Sequence, residues 1–424
     1  MQKLSKIFHL SLILVCSMVA LPGHADIWKA ENEWNMEWEK KFSQWMRSAQ
    51  VHKKLFTSKN SPYYGIKADC ADTSYALRAI FSLENSLPFR VANPSGGRNA
   101  YNYLSNELDK FDRYGNEKKR LVAFINYLGA QVGTEHLSHY DTTPVQVSEI
   151  SPGMIFTYKI RRFTGKTIRH SYNIKDITPT GNFDVIYTTQ AIAKSGADMM
   201  YRKEYMFSNT PHGVWGFKRF KWPHLQNANM SRYPEKFGHS SEQYDLVDKL
   251  GVRAFFRYVK KTLQVLEETP EGLLTRSLNT LCTQAKDRVT YVNQAIEHMR
   301  VNGSRCMNYA DYDAYSTPAR DKALSEAYIS LFANRKDVEA MGQENEVDPI
   351  LWDALVAIEK GADYSSDEEL YKLCSINYRE GKTIHLAELY RRMEAGLLSS
   401  HPNDKIELRW GETSRGGTRC RVWY

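Results

Sequence analysis

The chain has 424 residues, with 57 Lys plus Arg against 49 Asp plus Glu, a formal charge of +8, and 42% hydrophobic residues. That length predicts two domains rather than one, and the apolar share excludes a disordered or fibrous chain. The mild positive balance is dispersed, which suits an anionic envelope polymer or a membrane surface; nucleic acid as a partner is not expected, because its footprint needs clustered basic residues.

In chain order, residues 1–25 read as a secretory signal peptide. Lys3 and Lys6 make a positive start, residues 7–21 are mostly apolar, and Gly23, His24 and Ala25 offer small residues for a cut after Ala25. Losing Lys3 and Lys6 takes the charge from +8 to +6. No later stretch has the roughly 18 apolar residues that a spanning helix needs, so export to the periplasm or beyond is expected, with no transmembrane segment after cleavage. Over residues 26–56, Trp28, Trp34, Trp38, Phe42, Trp45 and Met46 recur at mostly helical spacing and predict an amphipathic helix covering a core.

A turn-rich approach, residues 61–69, then leads to Cys70. There the period of three to four begins, through Ala71, Tyr75, Ala76, Ala79 and Ile80. A thiol at a helix N-terminus faces first-turn amides and the positive dipole end, which predicts a pKa below the free value of about 8.5. Residues 87–91 read as a strand-like exit and 93–98 as a turn without phosphate-loop spacing. Residues 100–143 read as a polar helical insertion with Leu121, Ile125, Leu128 and Val132 inward. Within it, His136, His139 and Asp141 are ligand types, but their spacing is not that of zinc peptidases, and Asp311 and Asp313 lack the rest of a calcium loop. Neither a metal nor another cofactor is expected.

Residues 151–159 predict a turn and a strand, and the basic loop 161–166 leads to His170 on an alternating strand that a hairpin joins to residues 183–189. His170 is the candidate base for Cys70. Asp184 on the second strand is a candidate partner for His170, with Asp176 and Asn182 as substitutes. Residues 212–224 interleave aromatics with Lys and Arg and predict an edge strand with one face in the core, or else the lining of a glycan or anionic-peptide groove. Beyond about 238, residues 243–266, 271–300, 317–341, 348–360, 367–378 and 384–397 have helical periodicity. Cys16 leaves with the signal, and Cys282, Cys306, Cys374 and Cys420 form an even set that predicts two disulfides in an oxidising compartment. Of three possible pairings, Cys282 with Cys306 and Cys374 with Cys420 closes the shortest loops. Cys70 is left as a free thiol.

Tyr64-Gly65, Asp69-Cys70 opening a helix, Ser151-Pro152-Gly153 and Arg169-His170-Ser171-Tyr172-Asn173-Ile174 together resemble the motif series of the NlpC-type papain-like cell-wall cysteine peptidases. Ala71-Asp72 and Met154 depart from that pattern, and about a hundred residues separate Cys70 from His170. The resemblance covers roughly residues 60–190. It implies Cys70 as nucleophile, His170 as base, and Tyr64 as a hydroxyl aiding the oxyanion site. The helix after Cys70 and its exit at 87–91 also resemble transglutaminase-like proteins, which share the papain-like core. The expected fold is α+β: a papain-like domain at 26–238 and a disulfide-linked, mainly helical domain at 239–424. The expected function is cysteine hydrolysis of an amide in peptidoglycan peptides. Protein cross-linking or deamidation, and non-catalytic envelope binding, are the alternatives.

Overall fold

The computed structural model describes residues 26–94, 103–161, 167–232 and 238–423. Residues 1–25, read above as a signal peptide, and parts of the segments read as the 93–98 turn and the basic loop lie outside the described residues. The chain is α+β, about 49% helix with an antiparallel sheet.

Helix α1, Met36–Arg47, starts at Asn35, whose side chain accepts the Glu37 and Trp38 N–H groups. It is shorter than the aromatic stripe that announced it. Trp28 and Trp34 precede the helix and donate their indole N–H groups to Leu87 O (2.8 Å) and Pro88 O (2.9 Å). They enter the same core as Phe42 and Met46. At its centre lies α2, Cys70–Glu84, buried from Cys70 to Leu83. Even Arg78 is inside. Its guanidinium holds Glu39 of α1 through bonds of 3.0 and 2.6 Å and stacks 3.2 Å from the centre of the Trp34 ring. Strands β1, Arg90–Ala92, and β2, Tyr103–Ser105, pair next, and α3, Glu117–Gly129, packs back on α2. A Cβ at Gly129 would stand 2.7 Å from Asp72 Oδ2, so this approach needs glycine. A single turn, α4, Thr134–His136, follows.

The main sheet is six-stranded and antiparallel: β3 (Thr142–Pro144), β4 (Ile155–Arg161), β5 (Thr167–Ile177), β6 (Phe183–Tyr187), β7 (Met200–Tyr205) and β8 (Gly216–Phe220), in the order β3-β8-β4-β5-β6-β7. The expected edge strand at 212–224 is thus an interior one. β8 lies between β3 and β4, all five residues are buried, and Lys218 and Arg219 are too deep to line a groove. Tight pairing on both sides outweighed its alternation of charge. Helix α5, Gln190–Ser195, connects β6 to β7.

Next come α6 (Glu242–Leu250), α7 (Val252–Leu263), α8 (Pro270–Val301), α9 (Tyr309–Tyr315), α10 (Pro318–Ala340), α11 (Pro349–Lys360) and α12 (Glu368–Leu373), then the hairpin β9 (Ser375–Arg379) and β10 (Lys382–His385), then α13 (Leu386–Glu394). The helical reading of 367–378 and 384–397 holds only in part. Ile376 and Tyr378 alternate inward, and Gly381 turns the hairpin at φ +67°. Nor does the change of composition near 238 mark a break in packing: Val247, Phe255 and Val259 of α6 and α7 share one core with Phe156, Tyr172 and Phe217 of the sheet.

The four C-terminal cysteines form two disulfides, but as Cys282–Cys374 and Cys306–Cys420. Loop length alone misleads here. Cys282 lies inside α8, and the helix from there to Val301 is a rigid rod of about 28 Å that keeps it from Cys306. Such bonds fit an exported protein. Among the described residues no helix is long and apolar enough to cross a membrane.

Candidate active site

Cys70 is the first residue of α2, and Asp69 sets that start. The Asp69 carboxylate accepts the Ala71 N–H (3.1 Å) and the Asp72 N–H (3.4 Å), while the Asp69 N–H donates to Asp72 Oδ2 (3.1 Å). This reciprocal box fixes the helix end. It also occupies first-turn amides that would otherwise favour a thiolate. The thiol is 8% exposed, with Sγ 3.2 Å from Thr134 Oγ1 on α4. Burial, and after it the charge of Asp69, push Cys70 up to about 12; Thr134 and the Ser171 N–H act the other way without offsetting them. The lowered pKa expected from the helix terminus is therefore reversed. A helix dipole contributes about 0.3–1 kcal/mol, less than the cost of charging a buried group. Asp72 is itself pushed up to about 8, by burial and then by Asp69.

His170 lies on β5 among aromatic rings, with centroid distances of 5.8 Å to Tyr158, 4.6 Å to Tyr172 and 5.4 Å to Tyr187. Burial, and secondarily the Arg320 guanidinium, pull it down to about 3, so the ring is neutral.

Cys70 and His170 line one cavity of about 440 Å³. Among the described residues no hydrogen bond joins Sγ to the ring. The reason is strand alternation. Ser171 points to α2, its Oγ 3.5 Å from Ser74 Oγ, so its neighbour His170 points to the opposite face. The two meet in one cavity because β6 stops early. Ile186, opposite Asn173, is the last β6 residue paired in register with β5, and residues 167–171 run on without a β6 partner. The thiol reaches the cavity there, beside the Ser171 N–H.

The other expected site residues lie elsewhere. Asp184 stands opposite Asp176, six residues along β5 from His170 and so about 20 Å away. Its oxygens are taken by the Tyr201 O–H (2.5 Å) and the Glu204 N–H (2.9 Å). Asp176 accepts from Arg47 (2.8 Å), and Asn182 donates to Thr180 (2.9 Å) and Glu268 (3.1 Å). None of the three orients His170: the hairpin turn is at the far end of the strands. Tyr64 is 51% exposed and does not line the cavity. Of the tested ligand types, His136 Nε2 lies 2.8 Å from Ala92 O, and Asp141 accepts from the Tyr75 O–H (2.6 Å), the Ala92 N–H (2.7 Å) and Gln226 (2.5 Å). Among the described residues no group of three or more His, Cys, Asp and Glu is placed to hold a metal.

What the sequence reading missed is the cavity's wall. Tyr158, Tyr172 and Tyr205 come from the sheet; Asp287, Arg288 and Tyr291 come from α8, and Arg320 from α10. Tyr172 shares a strand face with His170 at a spacing of two, a signal that was available. The contribution of α8 and α10 had none. Comparison with protein-family models, curated proteins and solved structures finds no match for this chain.

Proposed function

We propose that the protein is an exported cysteine hydrolase with a papain-like domain at 26–238 and a helical domain at 239–424, cleaving an amide bond in peptidoglycan peptides in the periplasm or outside the cell. The observation that carries this reading is the shared cavity: a thiol at a helix start and an imidazole line the same space. The ring is neutral and so free to take a proton, although the burial that keeps it neutral also makes it a weak base. His170 takes the Sγ proton, through one water where the two do not touch, as sulfur bonds to the carbonyl carbon. The Cys70 N–H, which is not among the amides that Asp69 occupies, is a donor for the oxyanion. The C–N bond then breaks, the amine leaves with the proton from His170, and water hydrolyses the thioester to a carboxylate and the free thiol.

The test is amine release from purified peptidoglycan, followed by mass spectrometry of the fragments. Wild type releases amine, and Cys70→Ala and His170→Ala lower the rate by at least about 100-fold. Equal release by Cys70→Ala overturns the reading. One observation favours a second reading, an envelope-binding protein with an idle thiol: Cys70 is pushed up to about 12 with no hydrogen bond to His170. That reading expects retention on peptidoglycan unchanged by Cys70→Ala, and no amine release.

A further inference from the structure

The cavity is lined by four arginines, and their partners differ. Arg169 of β5 is paired with Glu135 Oε2 at 2.5 Å. Arg202 of β7 is paired with Asp287 of α8. Arg288 is held by Asp321 Oδ1 at 2.8 Å and by Ser399 O at 3.2 Å. Arg320, in the first turn of α10, donates one N–H to Ser316 O at 3.0 Å and lies 3.7 Å over the centre of the Tyr291 ring. No carboxylate among the described residues stands within ion-pair distance of it; Asp287, already held by Arg202, feels its charge from farther off. A guanidinium has five N–H donors in a planar fork that matches a carboxylate, and a cation in an aromatic-lined cavity with no ion-paired carboxylate gains from an anion brought by a ligand. Its stacking on Tyr291 fixes the plane of the fork beforehand, so little side-chain freedom is lost on binding.

Resting on the hydrolase reading, we infer that Arg320 is the specificity-determining residue of this site: it pairs with a free carboxylate of the peptide substrate and so places the scissile amide at Cys70. The division of labour is between two parts of the chain, with the thiol and imidazole on α2 and β5 and the anion contact on α10. Arg320 is also a cation whose field bears on His170. A bound carboxylate neutralises that field and makes the imidazole a better proton acceptor when substrate is in place. Electrons and protons balance as in ordinary amide hydrolysis, since Arg320 only binds.

The test uses soluble muropeptides in two forms, with free carboxylates and with the same carboxylates converted to amides by carbodiimide and ammonia. Calorimetry gives binding by the full chain, and amine release gives kcat and KM. Wild type is expected to bind the free form about 10- to 100-fold more tightly than the amidated one. Arg320→Gln loses that preference, mainly through KM, and Arg320→Lys keeps part of it because the charge remains but the fork does not. Thermal melting checks that each variant is folded. If wild type binds both forms equally, or if folded Arg320→Gln still prefers the free form, the assignment of Arg320 is overturned. If the preference in binding depends on Arg320 but no amine is released, the anion site stands and the hydrolase reading fails. If wild type binds neither form, the assignment fails with it.

Discussion

The two faces of the main sheet meet the rest of the molecule in opposite ways. Toward α2 the sheet presents Thr157, Ser171 and Asn173, small or polar and almost fully buried. Their shortness lets a helix that is itself buried along its length lie close; Asn173 Nδ2 donates to Ile186 O (3.1 Å), while Thr157 Oγ1 is buried with no hydrogen-bond partner among the described residues. On the other face Tyr158, Tyr172 and Tyr187 surround His170, large rings at steep angles that line a cavity. One face holds a thiol by close packing; the other holds an imidazole in a pocket. Between Ser171 and His170 the chain passes from the first environment to the second in one residue.

The contrast can be broken most severely on the close-packed side. Arg78→Ala removes the buried partner of Glu39 and the cover of Trp34, and should cost about 3–5 kcal/mol in urea unfolding, because it leaves a largely buried carboxylate without its cation, held only by the Trp222 N–H. A loss under about 1 kcal/mol would mean that α2 is not held as tightly as this packing implies.

The pocket side is better probed by pH. Folding lowers His170 from 6.5 to about 3. The unfolded chain therefore binds a proton there that the folded chain refuses. Stability from this group is present above pH 6.5 and is lost as pH falls toward 3, by at most about 1.4 kcal/mol per pH unit. In His170→Gln that part of the acid sensitivity should vanish. Urea midpoints at several pH values for both proteins give the answer, and parallel curves would place His170 in water rather than in the pocket.

The smallest effect sharpens the same point. Tyr172→Phe removes the hydroxyl contacts to Tyr205 Oη (2.8 Å) and to Tyr158 and should cost about 1 kcal/mol, far less than Arg78→Ala, because the oxygens left behind belong to residues that line the cavity and can turn to water. A cost equal to that of Arg78→Ala would show the tyrosine face to be as closely packed as the other.

Much of α2 could be read in advance. Asp69 before an apolar period with Asp72 three residues on is a helix start by local chemistry, and the alternation through His170 is a strand for the same reason. Where the sequence reading went astray, a distant partner decided. Cys70 was expected to have a lowered pKa from its place on the helix, but its burial, and after it the charge of Asp69, reversed the direction. Asp184 was expected beside His170 from the hairpin alone, but the register puts it opposite Asp176, at the turn end. The shortest-loop disulfides ignored the stiffness of α8. The 212–224 segment read as an edge because alternation says which way side chains point, not how many strands stand beside them.

By itself, then, the sequence determined the things that act within a few residues: the α2 start with Cys70 at its head, the strand carrying His170, the even set of four C-terminal cysteines with Cys70 left over. Tertiary structure alone decided which strand face His170 occupies relative to the thiol, which cysteines pair, and that α8 and α10 wall the cavity with Tyr291 and Arg320. The physical reason is range. Capping and periodicity are set by neighbours in the chain, whereas burial, ion pairing and a shared cavity are set by groups that only folding brings together.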